Sequence, residues 1–209
     1  MSDSKKALVI GVGAEKGLGA SVSARFAREG FHVFVAGRTA SSLELVVKQI
    51  RSAGSTATAI VADATMEADV LSLFDKVCAA EGSLEVAVYN VGNNTPGAVL
   101  EMEADYFEEA WRVCCFGGFL FGREAALRNM AQAMSKELGP KGLHVAHVVV
   151  DGGIDGDKLR TRRPELVKQM GEERLVDLRG LADAYWFPHQ QPPRAWSFEL
   201  DMRSKSEPW

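Results

Sequence analysis

Short apolar runs alternate with amphipathic segments along this chain, and the alternation limits its fold more than any other feature. Residues 7–10 and the run HVFVAG are short, apolar and bounded by glycine, which is typical of buried parallel strands. After the second run apolar residues recur at helical spacing, as at Leu43, Val46 and Ile50. Six or seven such alternations predict an α/β fold, a doubly wound parallel sheet with helices on both faces, in one domain over 1–209.

Composition and charge exclude several kinds of partner. A net charge of −4 provides no basic surface for nucleic acid or for a membrane. The N-terminal apolar run is soon broken by glycine and predicts neither a signal peptide nor a spanning helix. The three cysteines lack metal-ligand spacing, so we expect no metal site and a reduced, cytoplasmic protein.

A glycine-rich turn joins the first predicted strand to the first predicted helix. It contains Gly11, Gly13, Gly17 and Gly19 within GVGAEKGLGA. Glycines allow a backbone to approach a pyrophosphate, whose charge is favoured at a helix N-terminus. The alternative is a tight turn that merely needs positive φ angles. The strand–turn–helix context favours dinucleotide binding.

The spacing of these glycines resembles that of the short-chain dehydrogenase/reductase family. Gly13-x-x-x-Gly17-Leu18-Gly19 matches the family's T-G-x-x-x-G-[IL]-G, with Val12 in place of the threonine. The resemblance implies a Rossmann-type, three-layer α/β/α domain that binds a nicotinamide dinucleotide.

Two further motifs follow the third and fourth predicted strands. Asp63 and Ala64 resemble the family's adenine-contacting aspartate and its neighbour. Asn90, Val91 and Gly92 resemble its N-A-G motif. The resemblance implies that both motifs contact the cofactor.

A fourth motif follows the run HVVV. The sequence DGGIDG resembles the family's P-G-x-[IV]-x-T, with Asp151 in place of proline and Gly156 in place of threonine. The resemblance implies that the backbone of Ile154 meets the nicotinamide carboxamide.

The residues at the end of the second strand distinguish NADP from NAD. An NAD site needs an acid there to accept the ribose hydroxyls, whereas an NADP site carries a cation for the 2′-phosphate. Gly37 stands in the acid's place, Arg38 follows it, and Lys16 precedes the second motif glycine. The two cations are alternatively ordinary solvated surface residues. Together, with no acid in place, they predict NADP rather than NAD.

The family's catalytic residues are missing from this sequence. The resemblance implies a serine and a Y-x-x-x-K pair, in which the lysine lowers the pKa of the proton-transferring tyrosine. The chain has three tyrosines, and none has a lysine four residues later. The residues at those positions are Asn93 after Tyr89, Ala110 after Tyr106, and His189 after Tyr185. The catalytic residues are therefore unknown.

The segment FGREAALRNMAQ shows where these residues would belong. Residues 104–121 and 127–138 both have helical patterns, and the family's fifth strand is missing between them. Roughly 30–40 residues are absent near 125–127, on typical strand and loop lengths. Either the protein contains a segment that this sequence omits, or the segment is deleted. A deletion would expose central backbone, so we favour an omitted segment and expect a break rather than a continuous helix.

Cys114 stands where the family usually has an active-site asparagine. The alternatives are a nucleophile and an ordinary buried thiol, and we expect the buried thiol. In the family, the two helices flanking the join commonly form subunit contacts. The resemblance therefore implies a homodimer or a homotetramer.

The predicted function is hydride transfer between NADP(H) and a small alcohol or carbonyl compound. A segment at about 155–180 occupies the position of the family's mobile substrate lid, although an ordinary surface excursion is an alternative. A catalytically inactive dinucleotide-binding or interaction protein on the same scaffold is the alternative function.

Overall fold

The chain folds into parallel sheet flanked by helices, which confirms the predicted α/β architecture. The structure is a computed structural model and describes residues 4–92, 99–126 and 139–206. The helix predicted over 127–138 lies outside the described residues. Of the expected break near 125–127, residues 125 and 126 are described, at the end of a helix, and residue 127 is not.

The longer strands fall on apolar runs, whereas two strands of two residues each, Gly153–Ile154 and Leu175–Val176, are not predicted. They are β1 (Lys5–Ile10), β2 (His32–Gly37), β3 (Ala57–Val61), β4 (Ser83–Tyr89), β5 (His147–Asp151), β6 (Gly153–Ile154), β7 (Leu175–Val176) and β8 (Glu199–Arg203). The run LHVAHVVV predicts a strand from residue 143, but regular pairing begins only at His147.

The helices alternate with the strands through β4. They are α1 (Leu18–Arg28), α2 (Ala40–Ser52), α3 (Glu67–Ala79), α4 (Ala104–Trp111), α5 (Gly117–Ala126), α6 (Asp157–Arg162), α7 (Pro164–Met170) and α8 (Leu178–Gln190). A π-helical turn, Arg112–Phe116, joins α4 to α5. None of the helices in the described part of the chain combines the length and apolar character needed to cross a membrane.

The main sheet has the parallel order β3-β2-β1-β4 and a hydrophobic core on each face. One core contains Phe26 of α1 and Leu43 of α2, and the other contains Leu73 of α3 and Leu120 of α5. Helices thus cover both faces, as in a doubly wound fold.

The sheet is divided after β4. Strand β5 pairs in parallel with β8, and β6 pairs with β7, but within the described ranges neither pair joins the main sheet. Among the described residues β4 pairs only with β1, and no strand lies between β4 and β5 in the chain. The division falls where the sequence lacks the fifth strand of the family.

Aromatic packing of α8 on α1 connects the C-terminal part of the chain to the main sheet. The Trp186 ring contacts Phe26 edge-on at 5.4 Å and Phe31 at 6.1 Å between centroids. An ion pair between Arg25 and Asp183 adds to this contact. The two parts are therefore held together by helices rather than by strand pairing.

The prediction that Cys114 is a buried thiol is wrong. Cys114, Cys115 and Cys78 are all exposed. Cys114 lies in the π-helical turn, and neither that turn nor α4 has a buried residue. The sequence pattern predicts a helix here but does not specify which side is covered.

In the described residues no group of three or more His, Cys, Asp and Glu side chains could hold a metal ion.

Candidate functional site

The turn after β1 is held between the ends of two neighbouring strands. The N–H groups of Gly11 and Val12 both donate to the Ala36 carbonyl of β2 at 3.0 Å. Gly11 has a φ of +90°, and a Cβ there would lie 2.5 Å from the Asn90 carbonyl oxygen. Only glycine therefore satisfies both the backbone angle and the close approach of β4.

The N-terminus of α1 is open for an anion. Gly17 precedes the helix with extended backbone, no side chain caps it, and the first turn contains no acidic residue. The first N–H groups of a helix have no intrahelical acceptor and carry partial positive charge. The N–H groups of Leu18 and Gly19 are therefore candidates for binding phosphate. A Cβ on Gly13 would have no atom within 4 Å, so the loop also leaves space there.

Asn90 and Gly19 bring the first and third motifs together. The Asn90 side-chain amide donates to the Gly11 carbonyl at 3.2 Å, and its backbone N–H donates to Ile10 at 3.0 Å. A Cβ on Gly19 would lie 3.0 Å from both the Asn90 amide nitrogen and the Gly11 carbonyl oxygen. The absence of a side chain at Gly19 thus allows α1 to start beside β4.

Lys16 and Arg38 project from the same edge of the sheet. Both residues are exposed, and neither side chain forms an ion pair with the described residues. At the end of β2, Gly37 is buried, and a Cβ there would overlap the Val12 carbonyl oxygen. The cations are therefore available to an external anion, and the close packing excludes a side chain at Gly37.

Asp63 and Ala64 follow β3 at this edge. The Asp63 carboxylate accepts hydrogen bonds from the Thr65 N–H at 2.9 Å and from its hydroxyl at 2.8 Å. The Asp63 N–H donates to the Asp69 carboxylate at 2.9 Å. Ala64 is buried. Asp63 thus stabilises its own turn, a role the sequence motif does not predict.

Val91, Gly92 and Ile154 have fewer described contacts with the other motifs. Val91 is half-buried and packs on the core, and Gly92 is exposed with no atom near a Cβ position. Ile154 lies in β6 and pairs with Val176 of β7. No described contact joins Ile154 directly to the residues after β1.

The residues after Ile154 do reach the glycine-rich turn. The Asp157 N–H donates to the Lys16 carbonyl at 2.9 Å, and the Lys16 N–H donates to the Asp157 carboxylate at 3.2 Å. A Cβ on Gly156 would lie 3.1 Å from the Lys16 carbonyl oxygen. The sequence analysis missed Asp157. The available signal was an acid directly after the glycine that replaces a threonine.

Tyr89 is the tyrosine adjacent to these motifs. Its hydroxyl donates a hydrogen bond to the Val113 carbonyl in the π-helical turn. A Cβ on Gly117 would lie 2.5 Å from that hydroxyl oxygen. Burial, followed by the nearby Cys114 and Asp63, raises the pKa of Tyr89 above its ordinary value. A phenol that is enclosed and held neutral in this way is a poor proton-transfer group.

A family model described as short chain dehydrogenase matches residues 5–133. This range contains the glycine-rich turn and the motifs after β3 and β4. It ends within the part of the chain that the structure does not describe.

Curated relatives match over part of their length. An uncharacterized oxidoreductase of Mycobacterium tuberculosis is 35% identical over 109 residues, which cover 52% of this chain and 41% of that protein. The versicolorin reductase of Emericella nidulans is 34% identical over 124 residues, covering 59% of this chain and 46% of its own length. The chain thus spans about half the length of the curated relatives it matches.

Solved structures match nearly end to end. A short-chain dehydrogenase from Rhodopseudomonas palustris superposes with a TM-score of 0.74 at 28% identity, over 97% of this chain and 99% of that one. An actinorhodin polyketide ketoreductase with NADPH superposes with a TM-score of 0.83 at 18% identity, over 98% and 97% of the two chains. The ketoreductase likeness supports the fold alone.

Proposed function

Because this chain belongs to the short-chain dehydrogenase family, we propose that it binds NADP(H) at the carboxyl edge of β1, β2 and β4. The observation that carries the proposal is the N-terminus of α1, which has no side-chain cap and no acid in its first turn. The loop before it leaves open space at Gly13. A diphosphate fits this charge and this space.

Different described residues would bind different parts of the cofactor. The backbone at Lys16, Gly17, Leu18 and Gly19 would hold the pyrophosphate. Lys16 and Arg38 would pair with the 2′-phosphate, since neither has an ion-pair partner among the described residues. Gly37 supports this choice, because its packing excludes the acid that an NAD site needs.

The remaining motifs would contact the adenine, the ribose and the nicotinamide of the cofactor. Asp63 and Ala64 would meet the adenine, Asn90 and Gly92 would line the ribose side, and the Ile154 backbone would meet the carboxamide. Asp63 would do this while its carboxylate still accepts the two bonds from Thr65. We assign all of these residues from their motif positions. Asp63, Ala64, Asn90 and Gly92 also share one edge of the main sheet.

The proposed reaction is the interconversion of a hydroxyl and a carbonyl on a small molecule. When bound, NADP(H) supplies or accepts the hydride. The reaction also needs a proton donor at the carbonyl oxygen, and no tyrosine of this chain has the required lysine partner. We therefore propose that catalysis depends on a segment that this sequence lacks near 125–127.

A second function is favoured by a specific observation. The 209-residue sequence contains no Y-x-x-x-K, and it passes directly from Ala126 to Leu127. If the protein has no further residues there, it binds NADP(H) without turnover. Such a protein would act as a dinucleotide-binding or interaction protein.

We further propose a homodimer or homotetramer. Helix α4 has no buried residue, and Phe107 and Trp111 are 63% and 48% exposed. Exposed aromatic residues of this size are typical of protein contacts. Size-exclusion chromatography with light scattering gives the subunit number, and a monomer would contradict the proposal.

Intact mass and NADPH fluorescence titration test the function together. A mass near 22.7 kDa with NADPH binding and no carbonyl turnover supports the inactive protein. A larger mass with turnover supports the oxidoreductase. Absence of binding contradicts both.

A matched pair of variants locates the binding. Gly13→Asp introduces a carboxylate where a Cβ meets no atom within 4 Å, so it should weaken binding without lowering the melting temperature. Gly139→Asp makes the same change at another open position and should leave binding unchanged. Equal affinities in the two variants would contradict the proposed location.

A further inference from the structure

Two reciprocal hydrogen bonds join the glycine-rich turn to the start of α6. The Asp157 N–H donates to Lys16 O at 2.9 Å, and the Lys16 N–H donates to Asp157 Oδ2 at 3.2 Å. The second bond places a carboxylate on a backbone donor of the turn that would receive the cofactor phosphates. The Asp157 carboxylate thus occupies a backbone donor of the loop that would bind the phosphates.

The other acids near Asp157 are neutralised by an arginine. Arg160 pairs with Asp155 at 2.5 Å and with Glu172 at 3.4 Å. Asp157 forms no ion pair with the described residues, and its carboxylate oxygen accepts from the Lys16 backbone instead. Its negative charge is therefore not balanced locally.

Gly156 allows this approach. It is buried, and a Cβ there would lie 3.1 Å from the Lys16 carbonyl oxygen, closer than an ordinary contact. A larger side chain would force α6 away from the turn and lengthen both bonds. The glycine that departs from the family pattern and the acid that follows it thus act together.

We propose that Asp157 competes with the cofactor's phosphates for the Lys16 backbone N–H, and that it thereby lowers the affinity for NADP(H). This inference rests on the proposed function. When the cofactor binds, the Asp157 side chain leaves the turn, because two anions cannot share one donor. The pair closes the turn in the free protein and sets the affinity by charge repulsion.

Asp157→Asn tests the charge, because asparagine has the same size and retains an oxygen acceptor. Like charges near the solvent-exposed surface repel by about 1 kcal/mol, so we expect NADPH to bind about fivefold more tightly to the variant. The difference should shrink in 0.5 M salt, because surface charges are screened. Glu15→Gln is the matched control, since it removes one negative charge from the same turn without touching the Lys16–Asp157 pair.

Binding constants from fluorescence titration decide the competition. Tighter binding by Asp157→Asn, with a clearly smaller change in Glu15→Gln, supports the inference. Equal binding by Asp157→Asn and the wild type, or an equal gain in Glu15→Gln, overturns it.

Hydrogen exchange measures the pair without the cofactor. The amide of Lys16 should exchange faster in Asp157→Ala than in the wild type, because the bond that it donates to the side chain is lost. Unchanged exchange would overturn the pair itself. If no variant binds NADPH, the proposed function fails, and exchange alone then shows whether the pair exists.

Discussion

The Asn90 side-chain amide donates to the Gly11 carbonyl at 3.2 Å, so a residue after β4 holds the turn after β1. A Cβ on Gly19, at the start of α1, would lie 3.0 Å from the nitrogen of the same amide. One side chain thus fixes the distance between β4, the turn and α1. The proposed phosphate site depends on that distance.

Replacing Asn90 should therefore weaken NADPH binding by changing the position of the turn. Asn90→Ala loses one hydrogen bond and should cost about 1 kcal/mol in stability and roughly fivefold in NADPH affinity. Asn90→Asp should be worse, because a carboxylate then faces the Gly11 carbonyl oxygen. Thermal melts and fluorescence titration measure both effects. Wild-type affinity in both variants would show that this contact does not position the turn.

The preference for NADP should depend on Lys16 and Arg38. Lys16→Ala or Arg38→Ala should each weaken NADPH binding about tenfold and leave NADH binding unchanged, because only NADPH carries the 2′-phosphate. Lys48→Ala is the matched control, an exposed lysine of α2 with the same loss of charge. Titration with both cofactors gives the ratio. An equal loss for NADH would mean that the cations act through general surface charge.

The folded protein should lose stability at alkaline pH because of the raised pKa of Tyr89. Its pKa is raised from 10.0, mainly by burial, so the folded protein favours the neutral phenol. A raised pKa means that this stabilisation is complete below the unfolded pKa of about 10 and decreases as the pH rises above it. Tyr185, whose pKa burial also raises, contributes in the same direction.

Urea unfolding between pH 8 and 11 measures this effect. In Tyr89→Phe the loss of stability above about pH 10 should be smaller than in the wild type. At pH 7 the variant should lose only the bond to Val113, about 1 kcal/mol. Parallel pH profiles for the two proteins would contradict the raised pKa.

The sequence predicts the local parts of this site well. The strands that end at Ile10 and Gly37, the helix that follows the glycine-rich turn, and the order of the glycines all follow from short-range patterns. Contacts between distant residues could not be predicted in the same way. Lys16 and Asp157 are 141 residues apart, and no periodicity indicates that they meet.

Two other differences have the same physical origin. The exposure of Cys114 depends on whether another element covers the π-helical turn after α4, and an amphipathic pattern does not identify a covering element. The sequence predicts that the family's fifth strand is missing, but the division of the sheet among the described residues is a matter of long-range pairing. Strand pairing is decided by the whole chain rather than by the strand's own residues.

The divided sheet should give the chain two levels of local stability. In β1 five of six residues are buried, and the strand pairs on both sides with β2 and β4. In β5 no residue is buried, and among the described residues the strand pairs only with β8.

Amides that open locally exchange faster where few apolar contacts must break. We therefore expect the amides of β5 to exchange faster than those of β1, with β2 as an internal reference. Trp186→Ala should increase the difference, because it removes the aromatic contact of α8 with Phe26. Hydrogen exchange read by mass spectrometry measures the three strands in one experiment. Equal protection of β5 and β1 would mean that the two sheets unfold as one unit.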